Sequence, residues 1–230
     1  MAPYKGKKKF KKRTDAKQNQ RLKKLENMLY KTVENKQVEY KNSGLAISSG
    51  GVRDGSFLQL TQGVADGTPI GGLTTGARIG NSITLMRQQF NIDITQNGNV
   101  APIDDWNRMR ILVVEAIDGN QPILIGDVLQ YPSYALDGDL VFASPYTTKT
   151  TTNRRYKVCM DKTIELNYRA KGASRVLKYI KNWKNGKVVE FDDNSAVPTN
   201  HQMTLLFVSD SAALPHPQAS YSVRSTYKDA

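Results

Sequence analysis

Residues 81–95, Asn81-Ser82-Ile83-Thr84-Leu85-Met86-Arg87-Gln88-Gln89-Phe90-Asn91-Ile92-Asp93-Ile94-Thr95, decide the fold class. Thr84, Met86, Gln88, Phe90, Ile92 and Ile94 fall on one side of an extended chain, and Arg87, Gln89, Asn91 and Asp93 on the other. That is the two-residue period of a strand with one face in a core and one in water. A second stretch, Met109-Arg110-Ile111-Leu112-Val113-Val114, is apolar at nearly every residue and reads as a core strand. Working outward, further strands are expected near 36–42, 56–63, 107–117, 154–168, 175–183, 187–191, 201–209 and 219–227, each bounded by Gly, Asn, Asp or Pro clusters. A chain of 230 residues holds one all-β domain of this kind, whereas two would be cramped. Short antiparallel strands with long polar connections fit a Greek-key sandwich or jelly roll better than a βαβ fold.

Two local signals refine this outline. Trp183-Lys184-Asn185-Gly186-Lys187 places Asn-Gly between strand-like runs, and both residues tolerate positive φ, so a hairpin is predicted there. In the body, one helical interruption is expected at Ile123–Gln130, starting just after Pro122.

Before residue 36 the period is different. Leu22, Leu25, Met28, Leu29 and Val33 recur at helical spacing within 15–34, with Asp15 placed to cap the start. A helix so charged and so narrow in its apolar face is not stable alone. Leu22, Leu25, Met28 and Leu29 are therefore expected to pack between subunits or against the body; a fraying tail helix is the plainer alternative. The chain thus divides into a basic arm (1–14), an amphipathic helix (15–34) and a shell of strands (35–230).

The net charge of +12 is concentrated at one end. Residues 1–24 hold Lys5, Lys7, Lys8, Lys9, Lys11, Lys12, Arg13, Lys17, Arg21, Lys23 and Lys24 against Asp15 alone, a net of +10, and the rest of the chain carries only +2. A block of like charge stays solvated until it meets a polyanion, so these eleven residues are the candidate nucleic-acid contacts. With only Tyr4 and Phe10 available to stack, contact is expected to be electrostatic, blind to base sequence and steeply salt-dependent. Arg53 and Lys36 are further basic side chains that could face the same polyanion. Membrane is the weaker candidate, because Phe10 is the arm's one apolar anchor and Ala2 after Met1 is no lipidation signal.

Catalytic or metal chemistry finds no support. Cys159 is the single cysteine, so no intrachain disulfide forms, and it sits in the alternating Tyr156–Met160 run as a small hydrophobe. His201 and His216 lack ligand companions at metal spacing and read as exposed or capping imidazoles. The glycine-rich stretches 48–51 and 71–76 match no phosphate-binding loop. Asp104-Asp105, Asp137-Gly138-Asp139 and Asp192-Asp193 read as turn formers, with calcium at a subunit contact as the other reading. No enzyme, no cofactor and no metal is expected. Neither a signal-peptide pattern nor a run of eighteen apolar residues occurs, which fits assembly inside a cell.

Several segments, in order, resemble a known group. These are Arg78-Ile79-Gly80-Asn81 before the long strand, and Arg110-Ile111-Leu112-Val113-Val114 followed by an aspartate turn and short helix. Next come Tyr156-Lys157-Val158 with Asp161-Lys162-Thr163, the Gly186 region, Ser209-Asp210-Ser211 and the terminal Arg224-x-x-Tyr227-x-Asp229. Across almost the whole chain this series is similar to the single-jelly-roll capsid proteins of small circular, replication-initiator-encoding single-stranded DNA viruses (CRESS-DNA viruses), and also to satellite plant virus coat proteins. The resemblance implies an eight-stranded antiparallel jelly roll with sheets BIDG and CHEF. It also implies a T=1 icosahedral homo-oligomer of sixty copies, with the arm turned inward onto the genome. Localisation would be the virion, and the host nucleus during assembly in a eukaryote, where the arm would also engage an import receptor. The first family often has arginine-rich arms; the lysine-rich arm and helix here are closer to the satellite proteins. Single-stranded DNA is the expected cargo, with RNA as the open alternative. Two other classes compete: a cellular nucleic-acid-binding protein with a basic tail, which would place basic or aromatic groups on its body too, and a sandwich-fold lectin, which leaves the arm unexplained.

Overall fold

In the computed structural model, residues 16–25, 35–55, 57–62, 69–70, 73–74, 76–96, 105–116, 123–147, 156–168 and 172–229 are described. Contacts separate two units, Met1–Asn35 and Lys36–Ala230. The first holds a helix, α1, at residues 16–25, exposed along its length. Asp15, Met28, Leu29, Val33 and the basic side chains at 5–13 lie outside the described residues.

Strands make up most of the second unit. Eight carry the architecture: β1 (Asn35–Ala46), β2 (Val52–Gly55), β7 (Ser82–Thr95), β8 (Trp106–Ala116), β9 (Tyr156–Asn167), β10 (Ser174–Glu190), β11 (Met203–Ser209) and β12 (Gln218–Asp229). Four short ones, β3 (Leu60–Gln62), β4 (Pro69–Ile70), β5 (Leu73–Thr74) and β6 (Gly76–Arg78), lie in the connection from β2 to β7. One sheet runs β10-β7-β12-β1 with β5 and β4 beyond, and the other runs β2-β11-β8-β9. Lettering the eight main strands B to I in chain order turns these into G-D-I-B and C-H-E-F. This is jelly-roll order, as expected, with β10, β12, β11 and β9 antiparallel to their registered neighbours. The parallel β3–β6 pair is an addition to the antiparallel scheme.

β7 lies between β10 and β12, and its alternation has one break. Leu85 is opposite Lys187 and Tyr227, but Arg87 is opposite Asn182 and Thr226, so Met86 is an extra residue. One inserted residue moves every side chain beyond it to the other face. Ile83 and Leu85 are therefore buried on one side of the bulge, and Gln88, Phe90, Ile92 and Ile94 on the other. Thr84 and Met86, expected on the buried face, are not part of the core.

The same bulge corrects the hairpin. Residues on both sides of Asn185-Gly186 pair with β7, so β10 continues as one strand in place of the two expected at 175–183 and 187–191. Trp183–Gly186 forms an excursion opposite Met86. Gly186 does take positive φ, 74°, and a Cβ there would lie 2.2 Å from Thr84 Cγ2. The dipeptide thus reports its backbone conformation correctly without reversing the chain.

Two further expectations shift. Of the strand expected at 56–63, only β3 (Leu60–Gln62) forms among the described residues, and β2 (Val52–Gly55) ends before it. The helix at 123–130 is a single turn, α2 (Ile125–Val128), because Leu129 turns to extended backbone and bridges Tyr146. It is joined by α3 (Tyr134–Asp137) and a 3-10 turn, Gly138–Val141.

Between the sheets an aromatic group fills the centre. Phe57 meets Tyr40 at 5.2 Å, Phe90 at 5.7 Å and Tyr221 at 6.3 Å, all edge to face. On the far side of the second sheet, Leu112, Val114, Leu206 and Val208 pack against Ile123, Val128, Leu129 and Val141. β8 and β11 are buried on both faces, as the unbroken Met109–Val114 run requires.

Gly186→Ala is expected to lower stability by at least about 1–2 kcal/mol, from left-handed backbone alone, with the Thr84 clash added. Thr84→Ser in the same chain should recover part of the loss in denaturant titrations.

Candidate nucleic-acid interface

Of the eleven basic candidates, Lys17, Arg21, Lys23 and Lys24 are described, all exposed on α1. At about 100° per residue, Lys17, Arg21 and Lys24 lie within roughly 60° of one another, and Lys23 points elsewhere. Leu22 and Leu25 sit beside this cationic stripe, 56% and 55% exposed. They begin the apolar stripe whose remaining members lie outside the described residues.

The two outer sheet faces differ in kind. That of the β2-β11-β8-β9 sheet is covered by residues 123–147, held down by Arg110. Its Nε and Nη2 donate to the two Asp161 carboxylate oxygens at 3.1 and 2.7 Å, and Nη1 donates to the carbonyls of Val141 and Ser144 at 2.8 and 3.0 Å. Tyr146 Oη adds a third donor to Asp161 at 2.8 Å.

The outer face of β10-β7-β12-β1 carries no second layer among the described residues of its unit. Its cross-strand rows are Asn182, Arg87, Thr226; then Ile180, Gln89, Arg224; then Lys178, Asn91, Ser222; then Val176, Asp93, Ser220. Glu39 and Lys41 of β1 join this face, where Glu39 pairs with both Lys41 (3.2 Å) and Arg224 (3.6 Å). Amides run along β7, Arg87 donating to Gln89 at 2.9 Å and Gln89 to Asn91 at 3.2 Å. An open depression of about 560 Å³ crosses the strands, lined in part by Lys41, Asn91, Val176, Ser220 and Ser222.

Lys36 and Arg53 do not add free charge to one face. Lys36 is ion-paired to Asp229, and Arg53 stands exposed on β2, in the other sheet. Of the aspartates, Asp137 accepts the Ser133 amide at 3.1 Å, Asp139 lies 3.7 Å from Arg108, and Asp193 accepts from Asn81. These are turn and pairing roles. His216 Nδ1 lies 2.9 Å from Ser211 Oγ.

His201 departs from expectation: it is 2% exposed, stacked edge-on to Trp183, with Nε2 donating to Gln88 Oε1 at 3.3 Å. Glu115, Lys187 and Lys181 surround it. Glu115 accepts from Lys187 at 2.7 Å and lies 3.7 Å from Lys181 and 3.8 Å from His201 Nδ1, joining β8 to β10 across the sandwich. Burial, then the Lys187 charge, lowers the His201 pKa from 6.5 to about 4. Burial works to raise that of Glu115, but its hydrogen bond and charge contact with Lys187 hold it below the ordinary value. Cys159, half-buried beside this cluster, has its thiol pKa raised by burial. The sequence shows no sign of this cluster, because its members come from four distant segments.

No family model and no curated protein matches the sequence. Among solved structures, the backbone is similar to a chain of Desmodium yellow mottle tymovirus, at 9% identity and TM-score 0.38, over 85% of this chain and 86% of that one. A chain of Broad Bean Stain Virus matches at 12% identity and TM-score 0.27, over 86% and 85%. A third, of infectious bursal disease virus Gx strain, matches at 10% identity and TM-score 0.27, and there the chain spans only 32% of its counterpart. The jelly-roll assignment itself rests on strand order and register.

The buried imidazole makes stability pH-dependent. An unfolded chain takes up a proton near pH 6.5 that the folded one refuses until about pH 4, so stability is full above 6.5 and falls as pH drops through that window. At about 1.4 kcal/mol per unit the loss reaches about 3 kcal/mol, and Glu115 adds to it at still lower pH. Denaturation midpoints from pH 7 to 4 should show this slope, and His201→Gln should flatten it.

Proposed function

We propose that this chain is the coat protein of a small virus, forming a closed icosahedral shell around single-stranded nucleic acid. The observation that carries this reading is a +10 segment, residues 1–24, preceding in sequence a jelly roll whose own charge nearly cancels. A near-neutral body lets many copies lie side by side, while the arm supplies a counter-charge for phosphates. In a T=1 shell of sixty copies, about ten arm charges each amount to roughly 600, enough to neutralise several hundred phosphates. Single-stranded DNA is the first cargo reading, with the virion as location and nuclear import in a eukaryotic host as a second use of the arm. RNA is the second, favoured by the lysine-rich arm continuing into helix α1. The exposed Leu22 and Leu25, with Met28 and Leu29 beyond them, would join α1 helices of neighbouring copies. No catalytic role is assigned.

Electron microscopy of the purified protein should show closed particles about 20 nm across, the size sixty sandwiches tile. Their contents should be degraded, after extraction, by DNase; degradation by RNase selects the second cargo. Deleting residues 1–24 should leave particles that close but hold little nucleic acid. A monodisperse full-length monomer, or a truncated protein that no longer folds, overturns the reading.

A further inference from the structure

We infer that the outer face of the β10-β7-β12-β1 sheet is a second nucleic-acid surface, over which the sugar-phosphate backbone of a single strand runs. The inference rests on the packaging reading above and adds to it which side of the sandwich faces the cargo. Among the described residues of the second unit, 123–147 cover the outer face of one main sheet and none packs over that of the other. On the latter face, Arg87, Lys178, Arg224 and Lys41 are exposed on four adjacent strands. Facing carboxylates are few: Glu39 is engaged by Lys41 and Arg224, and exposed Asp93 stands one row from Lys178. Lys228 and Glu190, at the far end of the sheet beyond the bulge, offset each other.

Between these cations the rows are amides and hydroxyls: Asn182, Thr226, Gln89, Asn91, Ser222 and Ser220. Such groups hydrogen-bond phosphate and sugar oxygens without reading bases. Val176 and Ile180, 63% and 44% exposed, give apolar seats on the same face against which an unstacked base can rest. The depression lies at one end of this face, with Lys41 and Asp93 both in its lining among amides and hydroxyls. Arg224 stands one row from Arg87 on β12, and Lys178 two rows from it on β10, at the other side of β7, so the cations are spread across the strands. The order of the chain supports the same class of occupant: the +10 segment precedes β1, a strand of this sheet, by residues 25–34. A protein partner would leave these cations without phosphates, and the experiment separates the two.

The test uses the full-length chain and oligothymidylate as probe, reading the slope of log K against log salt. Arg87→Gln, Lys178→Gln and Arg224→Gln together should reduce the slope by about 2, at roughly 0.7 per lost phosphate contact. Arg53→Gln, Lys157→Gln and Lys162→Gln, exposed on strands of the other sheet, should leave it unchanged. Ultraviolet cross-linking of the unaltered protein to the same probe should yield adducts within 174–182 or 218–226, a readout independent of how the variants fold. An unchanged slope in the first triple variant, an equal change in both, or cross-links confined to residues 1–24 overturns the second surface and leaves packaging standing. If full-length protein does not bind the probe at all, the packaging reading itself falls.

Discussion

The structure depends on covering the outer face of its four-stranded sheet. β8 and β11 place apolar side chains on both sides, so one side fills the sandwich and the other needs a second layer. Residues 123–147 form that layer, though they hold little regular structure. Apolar burial of Val128, Leu129 and Val141 drives them onto the sheet, and the Arg110 guanidinium fixes them by joining Asp161 on the neighbouring strand to two carbonyls of the cover. A buried charge is tolerated there because a carboxylate and two carbonyls take four of its N–H groups. The asymmetry that follows, one face roofed and one without a second layer among the described residues, gives the sandwich two chemically different sides.

Much of the fold was legible in the sequence because two-residue alternation and apolar runs are local signals. Phe90, Ile92 and Ile94 occupy the core as their spacing says, and Met109–Val114 is doubly buried as its composition says. The misreadings have one physical source, pairing with residues distant in sequence. Met86 shifts the alternation because β10 and β12 both skip it, and Asn185-Gly186 becomes an excursion because the residues after it return to the same neighbour, β7. His201 reads as a surface imidazole until Trp183, Glu115 and Gln88 close around it. The charge split was wholly legible. The arrangement of Arg87, Lys178 and Arg224 on one face was not, since it requires the register of three strands.

The residues that carried the family resemblance do scaffold work here. Arg78, fully buried, donates to the carbonyls of Leu60, Gly80, Asp192 and Ser195 and to Asn81, with Phe191 4.7 Å beneath it. Asp210 and Arg108 bond through backbone and side chain, Tyr227 Oη donates to the Ala77 carbonyl at 2.8 Å, and Asp229 takes Lys36. Such ties pin loops to the sheets in a fixed order along the chain. A likeness built on them speaks to architecture, whereas the groups that would meet a polyanion are scattered, interchangeable cations.

The excursion at Trp183–Gly186 has a further meaning because β10 is an edge strand. A straight edge seventeen residues long presents a ladder of unpaired amides and carbonyls to any neighbouring chain. The four residues of the excursion, opposite Met86 alone, break that ladder near its middle, and exposed Lys184 lies within the break. Sheet-to-sheet extension between copies is thereby discouraged at this edge, which disfavours open-ended, fibre-like stacking.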